Sequence, residues 1–249
     1  MKRLFSRITL SLLALAVIST LMTSCEQEAI ISPTDSEVIN DVEGFKSTTG
    51  NTDTPVVINE DEALEPLFKM SFSGDMPREE VEEQWAQAVE NYMCNNVNNS
   101  ELEDRDFSTE WFFGVITRTG TQTDNGTDGR VYSSVIFNTS KGRYATPHYK
   151  LEQSNGQLEE GRVDVFFFRT YIPGEAVEWV EAEDAFLFHR GTDGWFVKGY
   201  AVLTTFSQSI PSSGYTRVSS HPNVWLDNPT SSQWDYYNTG PIGTGRLEF

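Results

Sequence analysis

Two copies of one tetrapeptide hold most of the chemistry that this sequence offers. Gly126-Thr-Asp-Gly129 and Gly191-Thr-Asp-Gly194 each run into an apolar, aromatic-bearing segment, as NGTDGRVY and RGTDGWFV. Around the first copy, Asp124, the carbonyl of Gly126 or Thr127, and Asp128 fall within five residues. Calcium takes about six to eight oxygens, carboxylates preferred, from a loop that can curl around the ion. Asp124, Gly126, Thr127 and Asp128 are therefore the candidate calcium ligands. The same residues also read as a turn into a strand, because Asp tolerates and Gly permits the backbone angles a tight turn needs. The second copy lies between AFLFHR and WFVKGYAV. Asp-Gly between two such runs is a hairpin signal, so this copy reads as a turn.

Other chemistry is sparse. The sequence has no Gly-x-Ser-x-Gly elbow. Its three histidines, His148, His189 and His221, are scattered and lack metal-ligand spacing. Carboxylates are abundant, but 37 acidic residues in 249 guarantee some pairs, so no glycosidase dyad follows. The expectation is a protein that is not an enzyme. Exposed aromatic side chains are a second kind of candidate. Trp179, Trp234 and Tyr236 could form a sugar platform, whereas Trp195 and Trp225 read as core because large aromatics dominate sandwich interiors.

The first 24 residues carry Lys2, Arg3 and Arg7, then an apolar run of 15 residues from Ile8 to Met22. That run is short for a membrane span and suits the apolar region of a secretion signal. It ends in Leu21-Met-Thr-Ser-Cys25, which resembles the lipobox of bacterial lipoproteins, where cleavage leaves the cysteine lipidated. An ordinary signal peptide is the other reading. With Cys25 lipidated, Cys94 is the one remaining thiol and no disulfide framework is possible. Residues 25–249 hold 15 basic against 37 acidic side chains, a net charge of −22. Such a surface repels nucleic acid and anionic headgroups. No nucleic-acid partner is expected, and the membrane partner is reached through the lipid on Cys25.

Elements follow from composition and period. Residues 25–66 contain eleven acidic residues against Lys46 alone, and read as an acidic tether. The CEQE start resembles the signal that sends lipoproteins of the Bacteroidota to the outer face of the cell. This implies an outer-membrane, surface-exposed location. Residues 67–105 form a helical lead-in. Pro77, Glu79 and Glu80 suit a first turn, and Val81, Trp85, Ala88 and Tyr92 make one apolar stripe. From Trp111 the period becomes two, and candidate strands are 111–119, 130–139, 163–171, 176–181, 185–190, 195–206, 215–219 and 224–226. About eight short strands over residues 106–228 predict a mostly β fold, an antiparallel β-sandwich. The aromatic tail 229–249 either docks as a last strand or stays loose.

The order of segments resembles a known family. VITRTGTQTDNGTDGRVYSSVIFNTSKG looks like the opening of a PLAT/LH2 domain. LEEGRVDVF, with Asp164, resembles that family's Arg-Gly-x-x-Asp segment. LFHRGTDGWFVKGYAV and Asn223-Val-Trp225-Leu resemble its later strands. The resemblance spans residues 110–228 and implies an eight-stranded sandwich that docks to membranes or proteins, in several members with calcium, and does not catalyse. It maps the family's ion loop onto Gly126, Thr127 and Asp128. The loop that supplies companion acids in the family is here Asn138–Arg143, which carries Lys141 and Arg143 and no carboxylate. Either could pair with Asp128 in place of an ion.

Overall fold

The computed structural model describes residues 45–46, 58–97, 108–151, 156–207, 212–227 and 233–249, all within the unit Val42–Phe249. Cys25, the signal segment and most of the tether lie outside the described residues. In chain order the elements are β1 (Phe45–Lys46), a 3-10 turn (Glu60–Glu62), β2 (Phe68–Ser73), α1 (Arg78–Val97), β3 (Glu110–Thr119), β4 (Arg130–Thr139), β5 (Gly142–Ala145), β6 (Tyr149–Lys150), β7 (Arg162–Tyr171), β8 (Trp179–Arg190), β9 (Trp195–Ser207), β10 (Ser213–Ser220), β11 (Val224–Leu226), β12 (Asp235–Asn238) and β13 (Thr244–Glu248).

The fold is mostly β, a sandwich with one α-helix among the described residues. Hydrogen-bonded neighbours run β2-β7-β3-β9-β10-β13-β8-β4-β5, and this ribbon turns back on itself. Alternation decides which side faces inward. Trp111, Phe113 and Val115 of β3 and Phe166 and Phe168 of β7 meet Val131, Val135 and Phe137 of β4 and Leu187 of β8 in one core. Phe113 and Trp111 touch Phe137 edge-on across the layers, at 5.8 and 5.5 Å between ring centroids. Each such aromatic contributes about 1.5–3 kcal/mol on burial.

Strand β13 is the seam between the two layers. It pairs with β10 through Tyr215↔Arg246 and with β8 through Leu247↔Val180, and Leu247 is fully buried. The described part of the tail, from Gln233 on, docks on the sandwich, with β12 lying beside β8 at Tyr236↔Phe188. Of the two outcomes left open for it, docking is the one observed.

Three further differences from the sequence reading have physical causes. The expected strands 176–181 and 185–190 are one strand, β8, with an irregularity where Ile136↔Asp184 gives way to Phe137↔Ala182. Skipping Glu183 keeps Val180, Ala182, Ala185 and Leu187 all on the core side. The lead-in contains strand β2, which pairs with β7 from Phe68↔Phe167 to Ser73↔Arg162. Helix α1 then covers that layer's outer face. Trp85 lies 5.2 Å from Phe68 and 5.5 Å from Phe167, and Gly114 leaves room for the Trp85 ring, which a Cβ there would approach to 3.1 Å. Val89, Tyr92 and Met93 complete the contact.

Residues 58–66 form the third difference. Acidic composition suggested a solvated tether, but this part lies along the outer face of β4 and β8. Ile58 packs with Tyr132 and Phe188, Leu64 bridges Tyr149, and Glu65 pairs with Lys150 at 2.8 Å. Opposite charges on β4 and β6 and one apolar anchor hold it there.

Candidate functional site

Strands β4 and β8 are antiparallel, with Arg130 opposite Arg190. The chain entering β4 and the chain leaving β8 therefore share one end of the sandwich, and the two Gly-Thr-Asp-Gly copies lie side by side. The Asp128 N–H donates to Asp193 Oδ2 at 2.9 Å. The Gly129 N–H donates to Thr127 Oγ1 at 2.9 Å. Thr127 Oγ1 also stands 2.9 Å from His189 Nε2 and 3.3 Å from the Asp193 carbonyl oxygen. Thr127 Oγ1 accepts from the Gly129 N–H, and its own hydroxyl lies within donating distance of the Asp193 carbonyl and of His189 Nε2. Both glycines are required by this close approach. A Cβ on Gly129 would fall 2.2 Å from His189 Nε2, and one on Gly191 would fall 2.9 Å from the Gly129 Cα.

His189 is 1% exposed. Burial pushes its titration down to about 4, against the opposing pull of the Asp193 charge and a hydrogen bond to the Leu226 backbone. It is thus a neutral clasp between loops, placed on β8 facing inward, and not a solvent-facing base.

A third loop joins the pair. The Thr127 N–H donates to the Leu158 carbonyl at 3.2 Å, and the Gly161 N–H to the Gly120 carbonyl at 2.7 Å. Leu158 has a positive φ of 58°, held because its N–H donates to Asp164 Oδ2 at 2.9 Å. Asp164 is fully buried, and burial raises its carboxyl above the usual range. The Phe196 N–H donates to the Asn125 carbonyl at 3.0 Å, tying the first loop to β9. On this braced frame Asp124, Asp128, Glu159, Glu160 and Asp193 are exposed.

The calcium expectation does not fit this arrangement. Among the described residues, no group of three or more His, Cys, Asp or Glu side chains is placed to hold a metal ion. Asp193 is committed to a backbone N–H, and Asp124 and Asp128 point into solvent. The alternative ion pairs do not form either. Lys141 and Arg143 sit beyond Thr139, at the far end of β4, about 30 Å from Arg130 at about 3.4 Å per residue, and Arg143 pairs with Glu183 at 2.9 Å. The hairpin reading of the second copy is also corrected. It is a turn, but β8 pairs with β4, β12 and β13 while β9 pairs with β3, β10 and β11, so Gly191–Gly194 crosses from one layer to the other.

The sugar-platform candidates are divided between two places. Trp234 and Tyr236 belong to an aromatic cluster with Tyr132, Phe188 and Ile58. Trp234 meets Tyr132 edge-on at 5.3 Å, and the Arg190 guanidinium lies 4.6 Å from its ring centroid. Trp179 is at the other end of β8, with the Arg246 guanidinium 4.1 Å from its centroid. Each of these tryptophans thus has a face covered by an arginine.

Sequence reasoning missed Glu60, which pairs with both Arg130 and Arg190, and it missed the meeting of His189 and Asp193 with the first loop. One signal was available. Arginine follows the first copy and precedes the second, and mirrored flanks are what two antiparallel neighbours bring together.

No protein-family model matches the chain, and no curated protein sequence matches it. Solved structures give partial likenesses. Coral 8R-lipoxygenase, described with calcium activation via a C2-like domain, aligns at 17% identity and a TM-score of 0.33, over 50% of this chain and 16% of its own. The alpha-toxin of Clostridium perfringens aligns at 10% identity and a TM-score of 0.35, over 63% of this chain and 38% of its own. The alpha toxin of Clostridium absonum gives 15% identity and 0.35, over 61% and 37%. The chain thus spans well under half the length of each of these proteins, whose activities and ligands remain their own.

Proposed function

We propose that this chain is a PLAT-like docking module, held on the outer face of a bacterial envelope by lipid on Cys25, that presents its three-loop end to a protein partner and does no chemistry of its own. One observation supports the reading above others. The loop end is braced by side chain to backbone hydrogen bonds from Thr127, Asp193 and Asp164, and the carboxylates Asp124, Asp128, Glu159, Glu160 and Asp193 are exposed on it. A rigid acidic surface on a chain of net charge −19 repels anionic headgroups and favours a basic protein face. Lipid docking, the other branch of the family resemblance, has less support because this end lacks exposed large apolar side chains among those described.

The test compares the chain with an Asp124→Asn, Asp128→Asn, Glu159→Gln variant, leaving Asp193 in place because it holds the loop. Salt-sensitive association with envelope proteins, measured by crosslinking and lost in the variant, is the expected result. Association that ignores both salt and the substitutions, or that transfers to liposomes of anionic lipid, refutes it. Palmitate labelling that persists in Cys25→Ala refutes the anchor.

A further inference from the structure

The outer face of the β4-β8 layer has two halves. The half near the paired loops is aromatic and lies under residues 58–65. The other half is polar and open. Beyond the irregularity at Glu183, the side chains Glu183, Glu181 and Trp179 of β8 alternate outward, beside Asn138 of β4. The loop Pro241–Gly243 rises along them as a wall and lies directly on β8. A Cβ on Gly243 would fall 1.6 Å from the Ala182 carbonyl oxygen, so only glycine permits this approach. Asn138, Glu181, Glu183, Pro241, Gly243 and Gly245 enclose a concavity of about 420 Å³.

Charge around this concavity is balanced and locked. Arg246 Nε donates to Glu181 Oε1 at 2.8 Å, and Arg143 Nε donates to Glu183 Oε2 at 2.9 Å. Arg246 is held at the same time over the Trp179 ring, which fixes the plane of its guanidinium. Opposite Arg246 on β10 stands Tyr215, 39% exposed. The concavity is a trough that itself offers a planar amide and two carboxylates, and the Arg143 and Arg246 guanidinium groups and the Tyr215 phenol ring flank it.

We propose that this trough binds a neutral saccharide chain. Sugar rings carry vicinal hydroxyls that both donate and accept, and apolar C–H faces that stack on aromatic rings. Fixed carboxylate–guanidinium pairs beside an exposed tyrosine complement both features. A polyanion finds no net positive charge here, and a lipid tail finds only Tyr215 and Ile242 as exposed large apolar side chains. Tyr215 is the stacking surface. Trp179 serves as the support that orients Arg246. Glu181, Glu183 and Asn138 bond the hydroxyl rim.

The experiment is affinity electrophoresis of the full chain in native gels containing mannan, xylan, mixed-linkage β-glucan or laminarin, with alginate and polygalacturonate as anionic comparators. Retardation in at least one neutral gel is expected, weakened at least tenfold by Tyr215→Ala and by Glu183→Gln, and unchanged by Trp234→Ala at the other end of the layer. These positions are exposed or rim-lying, and equal melting temperatures confirm that the variants fold. No retardation in any neutral gel overturns the proposal. So does retardation unaltered by Tyr215→Ala and Glu183→Gln, or retardation confined to the anionic gels. The loop-end variant tested for partner docking leaves this binding intact, so the two readings fail separately.

Discussion

Acidification probes the clasp between the two loops. His189 titrates at about 4 in the folded chain, against 6.5 for an ordinary histidine. Folding therefore holds this ring neutral. Between pH 6.5 and 4 the unfolded chain takes up a proton that the folded chain refuses, so acid favours unfolding in that window. The stabilisation is complete above pH 6.5, falls as pH drops through the window, and is gone below it. At about 1.4 kcal/mol per pH unit, the full loss is about 3 kcal/mol. Carboxylates titrate over part of the same range, so the informative quantity is a difference between proteins. Urea unfolding at pH 7.5, 5.5 and 4 is measured for the chain and for His189→Gln, whose amide does not titrate. His189→Gln is expected to be the less stable at pH 7.5, because its amide does not reproduce the ring's fit to Thr127. The gap should close by about 3 kcal/mol on reaching pH 4, since only the native chain loses the clasp. Thr127→Val retains the histidine without its hydroxyl partner and should keep most of the pH dependence, because burial is the first cause of the shift. If the native chain and His189→Gln lose stability in parallel from pH 6.5 to 4, His189 is not held neutral by folding and the reasoning fails.

Other perturbations test other joints of the structure. Gly129→Ala drives a methyl into the His189 ring and should cost about 3 kcal/mol, part of it recovered in the Gly129→Ala, His189→Ala double variant, as read from melting temperatures. Trp85→Ala empties the helix-to-sheet contact at Phe68 and Phe167 and should cost about 3 kcal/mol by urea unfolding. Glu60→Ala leaves Arg130 and Arg190 without their shared carboxylate. It should cost about 1 kcal/mol and speed proteolysis between residues 58 and 66 without unfolding the sandwich. Millimolar calcium should raise the melting temperature no more than magnesium does, in keeping with the committed Asp193 and the outward Asp124 and Asp128.

Much of the sandwich could be read in advance because its strands alternate. Val131, Ser133, Val135 and Phe137 recur with period two in the sequence, and all four are buried in the sandwich. Long-range pairing was not legible. Nothing local in FKMSFS distinguishes a strand from the start of a helix until Phe68 finds Phe167, about 100 residues on. The acidic segment 58–66 misled for a similar reason. Composition reports the cost of bringing carboxylates together in water, but not that Arg130, Arg190 and Lys150 wait across the sheet. At the site itself, the tetrapeptides were visible, but their glycines serve close approach at Gly129 and Gly191 rather than the left-handed backbone angles of a tight turn. The contact between the two copies was not visible, because it depends on β4 and β8 being neighbours, which is a property of topology. The split of Trp179 from Trp234 is likewise a matter of strand length, one lying at each end of β8.

Strand β13 also sets the order in which the molecule can be assembled. Strands β8 and β10 are separated in sequence by the whole of β9, and among the described residues the backbone ladder passes from one to the other through residues 244–248, beside a direct hydrogen bond from the Ala182 N–H to Thr216 Oγ1. During synthesis from the N-terminus, the strands β3 to β10 that form most of both layers precede the strand that closes them. Until Leu247 arrives, the facing edges of β8 and β10 present unpaired backbone groups over an open core, a state prone to edge-to-edge association. Closure is then one late, non-local step, with loop-closure entropy set by the roughly 65 residues between Val180 and Leu247. A polypeptide with this wiring keeps its two layers unjoined along that edge until residues 244–248 have been made.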